Sequence, residues 1–182
     1  GLATVCGVGP LTGVNLQLVR QGLAQLSHLS RPGFQALADV SGAAPPFTPY
    51  HLGFVFGPRI NAGGRVGRGG LGVDLLTARE ADGAHDFATQ LDTHNRERQA
   101  IEKLIVEEAL AMAALQDNSP FILAAGDGWH PGVVGIVAGR IKERHAKPTL
   151  VAGFEGGMGR GSARSVAGVD LGAMSRAARE AG

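Results

Sequence analysis

FILAAGDGWHPGVVGIVAGRIKERHAKPTLVAGF, residues 121–154, is the stretch that decides the fold. FILAAG, 121–126, is an apolar run of the kind found in buried strands. GVVGIVAGRIKERHA, 132–146, repeats its apolar residues at helical spacing, and KPTLVAGF, 147–154, returns to a strand. Strand, helix and strand in that order, with both strands apolar, predict a parallel α/β unit. The turn between the first strand and the helix exposes Asp127, Trp129 and His130, and Gly132 opens the helix. A helix start leaves backbone N–H groups pointing outward without partners, which attracts an anion. The plainer alternative has Trp129 packed on the core and His130 capping or hydrogen-bonding locally.

Two further segments combine glycine with arginine. In GRGSARS, residues 159–165, the glycines let a phosphate approach the backbone of a loop while Arg160, Ser162, Arg164 and Ser165 supply donors. Arginine suits planar, bidentate phosphate recognition, but the lysine of a Walker loop is absent. GPRINAGGRVGRGG, residues 57–70, places Arg59, Asn61, Arg65 and Arg68 among glycines and reads as a second polyanion-facing loop. Solvated basic turns are the plain alternative for both.

Around these segments the expected elements are coarse. Residues 2–11 read as a strand ending in a loop, 12–28 as a helix with Val14, Leu18, Gly22 or Leu23, and Leu26 at helical spacing and Thr12 as its cap, and 32–40 as a short helix begun by Pro32. The proline-rich stretch 45–49 is a loop, and 51–70 reads as a strand breaking into the glycine-rich loop. Residues 84–115 carry an uninterrupted helix signal, with Phe87, Leu91, Ile101, Leu104, Ile105, Met112 and Leu115 on one broad stripe. At 1.5 Å per residue that helix is about 48 Å long. Its polar middle, THNRERQ, suits a rod between two bodies. The expected fold is α/β: two α/β lobes joined by a long helix.

Composition narrows function mainly by exclusion. A net charge of +1 over 182 residues requires any phosphate-binding surface to be local. Cys6 is the only cysteine, which rules out an internal disulfide, and in an apolar strand it reads as core. No basic-then-apolar leader and no apolar run near twenty residues occurs, so a soluble, cytoplasmic chain without a membrane partner is expected. The six histidines are scattered, and none pairs with a carboxylate at metal-ligand spacing. The residues themselves describe a phosphate-backbone binder with no visible catalytic centre.

Four ordered motifs carry a resemblance. LGFVFGPRINAGGRVG (52–67), LDTHNRERQAIE (91–102), GWHPGVVGIVAGRIKERHAKPTLV (128–151) and GSARSVAGVDL (161–171) resemble the bacterial RecJ-type single-stranded-DNA exonucleases of the DHH phosphoesterase family, especially proteobacterial members. The resemblance implies an internal fragment of a longer enzyme that degrades single-stranded DNA from its 5′ end with two Mn²⁺ or Mg²⁺ ions, none of them expected on this fragment. It also implies a division into 1–83 (end of a DHH domain), 84–117 (linking helix) and 118–182 (first part of a DHH-associated nucleic-acid-binding domain). His130, Arg59 and Asn61 would support catalysis. Arg59, Arg65, Ser162, Arg164 and Ser165 would bind substrate phosphates. No metal ligand is expected, because Gly7 in ATVCGVGPL stands where the family has an aspartate. Single-stranded DNA is the implied partner, with other repair proteins beside it. A DHH phosphodiesterase of short oligonucleotides or cyclic dinucleotides, and a non-catalytic single-strand-binding module, are the alternatives.

Overall fold

The computed structural model describes residues 1–181 and divides the chain into two compact units, Gly1–Glu97 and Arg98 onward. The order of elements is α1 (Leu2–Cys6), α2 (Gly13–Ser27), α3 (Pro32–Ser41), a π-helix (His51–Phe56), α4 (Gly57–Val66), α5 (Leu71–Thr77), α6 (Ala81–Ala114), β1 (Ile122–Asp127), α7 (Pro131–His145), β2 (Thr149–Glu155), β3 (Met158–Arg164) and α8 (Leu171–Glu180). The chain is α/β with one long helix, and among the described residues all three strands belong to the second unit.

Helices replace both strands expected in the first unit. Residues 2–6 form α1, because a five-residue apolar run carries no period that separates helix from strand. Its last residue, Cys6, donates from Sγ to the Leu52 carbonyl at 3.4 Å, and Gly7 caps the helix. HLGFVF winds into the π-helix, which buries Leu52 and Phe56, four apart, on one side. The helix then runs on into α4, and the glycines there act as packing residues: a Cβ on Gly57 would sit 2.5 Å from Cys6 Sγ, and one on Gly63 would sit 2.8 Å from the Arg68 carbonyl oxygen. The core of this unit gathers Leu26, Leu37, Phe47, Phe56, Leu71, Leu75 and Leu91. In α2 the expected face is rotated: Val19 and Leu26 are buried, while Val14 and Leu18 are exposed.

The β1–α7–β2 part of the second unit is built as its apolar pattern dictates. β1 and β2 pair in parallel from Ile122↔Thr149 to Asp127↔Phe154, with α7 as the crossover. That helix buries Val133, Val134, Val137, Ala138 and Ile141 in one stripe. β3 then returns antiparallel to β2, so the expected glycine-basic loop at 159–165 is largely a strand. Gly156 and Gly157, both with positive φ, make the two-residue turn whose twist suits a hairpin. On the open edge of β1 the Gln116 side chain behaves like a neighbouring strand: its amide donates to the Leu123 carbonyl at 2.8 Å and accepts from the Leu123 N–H at 3.0 Å.

The long helix α6 buries a row of residues three or four apart along its length, with Asp92 buried beside Leu91. In the first unit that row contains Ala84, Ala88, Leu91 and Asn95, and in the second Arg98, Glu102, Ile105, Ala109 and Ala113. Leu104 and Leu115, expected on the apolar stripe, are exposed.

Candidate nucleic-acid interface

In the first unit, helix phase separates residues that a loop would have grouped. Arg59 lies on the inward side of α4. Its Nε donates to Asp92 Oδ1 at 2.8 Å and its Nη1 to the Val55 carbonyl at 2.8 Å, leaving the side chain 18% exposed. Asp92, on α6, also accepts an ion pair from Arg96 at 2.7 Å. Asn61 and Arg65, four residues apart, share the exposed side of α4. Arg68, beyond the helix, pairs with Asp74 at 2.7 Å. The structure therefore gives Arg59 a fixed guanidinium and places Asn61 and Arg65 together on a different side of the helix. Gly7 is an exposed helix cap.

In the second unit the chemistry converges on the start of α7. His130 is the N-cap: its Nδ1 accepts from the Gly132 N–H at 3.1 Å, and its carbonyl accepts from Val133 at 2.9 Å and Val134 at 3.2 Å. The local-capping alternative is what the fold adopts, and the expected outward-pointing N–H groups of Gly132, Val133 and Val134 are engaged. With Nδ1 accepting, the neutral ring carries its proton on Nε2, so His130 presents a donor. Trp129 is 6% exposed, and its Nε1 donates to Glu108 Oε2 at 2.8 Å. The carbonyl of Trp129 and its indole press on Gly153 and Gly126, where no side chain intervenes.

β3 supplies the basic wall. Alternation in a strand sends Met158, Arg160, Ser162 and Arg164 to one face, and this face meets α7. A cleft of about 220 Å³ is lined by Gly128, Trp129, His130, Pro131, Gly153, Glu155, Met158 and Arg160. One turn further along α7, the ideal Cβ position of Gly135 lies 3.1 Å from Ser162 Oγ and 3.2 Å from an Arg164 terminal nitrogen. Arg164 Nη1 donates to Ser162 Oγ at 3.0 Å, which orients the pair. Ser165 is engaged differently: its hydroxyl approaches the Val169 carbonyl at 2.6 Å, closing the turn before α8.

Sequence reasoning passed over the acids that hold these groups, namely Asp92 behind Arg59, Glu108 behind Trp129, and Glu102, which pairs with both Arg98 and Arg140. The i,i+4 spacing of Arg98 and Glu102 was a readable signal, whereas Asp92 and Glu108 find their partners only through tertiary structure. Among the described residues no group of three or more His, Cys, Asp or Glu is placed to hold a metal ion. A divalent centre does not fit the side chains in hand, and no metal-dependent step is assigned to them. Among the same residues no helix is long and apolar enough to cross a membrane.

Residues 118–182 match the DHHA1 domain. The chain is 39% identical over 178 residues to the single-stranded-DNA-specific exonuclease RecJ of Dickeya dadantii, a match covering 93% of this chain and 31% of that protein. Its fold superposes on RecJ of Thermus thermophilus in complex with Mn²⁺ with a TM-score of 0.88 at 31% identity, covering 98% of this chain and 26% of the other. The Mg²⁺ complex of the same protein gives 0.89 at 31% identity, covering 98% and 28%. The chain thus spans about a third or less of the length of these relatives from Dickeya dadantii and Thermus thermophilus. By sequence and by fold the chain is homologous over nearly its whole length to part of the single-stranded-DNA-specific exonucleases named RecJ, and residues 118–182 match the DHHA1 domain.

Proposed function

We propose that this chain is the strand-gripping part of a 5′-to-3′ single-stranded-DNA exonuclease, and that it holds substrate phosphates in place for metal-dependent hydrolysis. The observation that carries the reading is the pairing of the β3 row, Arg160, Ser162 and Arg164, with the His130-capped start of α7. Two guanidinium groups, a hydroxyl and an imidazole N–H on one face are donors that a phosphate monoester or diester accepts. They are held by a sheet and a helix, so they are oriented before the ligand arrives, and orientation is what such a segment contributes to catalysis. The exposed Asn61 and Arg65 offer a second set of donors on the first unit, and Arg59, fixed by Asp92 on another side of α4, offers a separate one. Under this reading residues 1–83 are the end of a DHH domain, 84–117 its linking helix and 118–182 part of the DHH-associated domain, a division supported by the DHHA1 match. The same reading puts the protein in the bacterial cytoplasm among other repair proteins.

The test is binding of a short 5′-phosphorylated deoxyoligonucleotide at several salt concentrations. Three phosphate contacts give a log–log slope of roughly −2, at about −0.7 per phosphate of a single strand. Arg164→Ala is expected to make the slope shallower by about one contact. Salt-independent binding, or an unchanged slope in that variant, would refute the phosphate role of β3. Equal affinity for a dinucleotide and a long strand would favour a short-oligonucleotide phosphodiesterase instead.

A further inference from the structure

Trp129 is an unusual neighbour for a solvent-facing cleft. It is the only tryptophan in the chain, it is almost fully buried, and it immediately precedes the residue that caps α7. Indole has a single polar atom, a donor, and leaving it unsatisfied in the interior is costly. That donor goes to Glu108 Oε2, on α6, at 2.8 Å. Trp129 has no room to move toward the sheet: an ideal Cβ on Gly126 would collide with the indole Cε2 and fall 2.5 Å from the indole nitrogen, and one on Gly153 would collide with the Trp129 carbonyl oxygen. The ring is therefore held between Gly126 and the Glu108 carboxylate, while Gly153 backs the main chain of Trp129. The backbone it fixes runs on into His130, whose ring orientation is set in turn by the Gly132 N–H.

We propose that Glu108 is a positioning residue for the His130 cleft, acting through the Trp129 indole; the proposal rests on the phosphate-binding reading of that cleft. Glu108 touches no ligand. Its carboxylate fixes the depth of the indole, the indole fixes the 128–130 turn, and the turn aims the His130 donor beside Arg160. Any hydrogen-bond acceptor of the same reach would serve, so glutamine should replace glutamate, whereas alanine should not.

The experiment uses the whole chain and a 5′-phosphorylated decathymidylate as probe. Glu108→Ala is expected to shift Trp129 emission to longer wavelength, raise its quenching by acrylamide and weaken the probe about tenfold, the loss expected if the misaimed His130 forfeits one hydrogen bond to a charged phosphate. The salt slope should stay at the parent value, since no arginine leaves a phosphate. Glu108→Gln should recover emission and affinity together. Ring ¹⁵N shifts of His130, assigned by difference against His130→Gln, give a readout that needs no ligand, and Glu108→Ala should move them while Glu108→Gln restores them. Unmoved His130 signals in Glu108→Ala, or alanine and glutamine variants equally impaired, would overturn the proposal. If the parent fails to bind the probe while Glu108→Ala still moves the His130 signals, positioning stands and the phosphate reading falls.

Discussion

The close approach between β2 and the Trp129 turn yields a sharp contrast between two identical substitutions. Gly153 pairs with Gly126 of β1 on one side and Arg160 of β3 on the other, so its backbone is held in mid-sheet. A Cβ there would lie 2.8 Å from the Trp129 carbonyl carbon and closer still to its oxygen. Ordinary carbon–carbon contact begins near about 3.5 Å, so the turn must retreat by at least roughly 0.7 Å. Overpacking of this kind costs about 1–3 kcal/mol. The retreat also strains the hydrogen bond from the Gly128 N–H to the Phe154 carbonyl, worth about 1 kcal/mol more. Gly153→Ala should therefore destabilise by about 2–4 kcal/mol. Gly139 lies within α7 with nothing within 4 Å of its Cβ position. There alanine removes only the helix penalty of glycine, and Gly139→Ala should stabilise by about 0.5–1 kcal/mol. Thermal unfolding followed at Trp129 separates the two. For a chain of this size each kcal/mol moves Tm by about 2–4 °C, so Gly153→Ala should melt roughly 5–15 °C lower and Gly139→Ala slightly higher. Two variants that melt together, with the parent's emission maximum, would show that the turn does not press on the sheet.

Asp92→Asn should destabilise the first unit by about 2 kcal/mol, because it removes the charge beside a largely buried Arg59, whereas Arg96→Ala should cost no more than about 0.5 kcal/mol, since Arg96 is mostly exposed; urea midpoints followed by circular dichroism compare them. Burial pushes the Cys6 thiol up, so iodoacetamide should alkylate it more slowly at pH 8 than the same thiol in the urea-unfolded chain. The linked stability is intact below the unfolded thiol pKa and falls as pH rises through the folded one, which an alkaline melting series of the parent against Cys6→Ala would register as a difference growing only at high pH.

Apolar period alone was enough for the parallel pair of the second unit. The runs 121–126 and 147–154 with the stripe of 132–146 between them fix a parallel pair and its crossover, and the structure has both. The same tool misled wherever glycine did a job other than breaking structure. In α4, Gly57 and Gly63 are small because Cys6 and the Arg68 carbonyl sit where a side chain would be, which only the assembled core reveals. In 156–165 the glycine pair was a hairpin signal, but it preceded a strand of Gly, Arg and Ser whose β propensity is low. Pairing with β2 over seven residues overrides that propensity. The first strand was lost to ambiguity: LATVC is too short for its period to be read.

The strand at 158–164 is also what turns a basic segment into a surface with a direction. On a mobile loop, Arg160, Ser162 and Arg164 would sample many geometries, and each phosphate contact would have to overcome the entropy of ordering a long side chain. In a strand their spacing is fixed at roughly 6.6–6.8 Å for every second residue, close to the distance between successive phosphates of an extended single strand. The intervening residues, Gly159, Gly161 and Ala163, are too small to obstruct the far side. A substitution that keeps all three donors but breaks their alternation, such as inserting one glycine after Gly161, would shift Ser162 and Arg164 to the opposite face. Such a chain keeps its net charge and composition apart from one glycine. If it still holds a 5′-phosphorylated strand as tightly as the parent, then local charge and not strand geometry accounts for binding; if affinity falls as far as in Arg164→Ala, the ladder itself is the reading element.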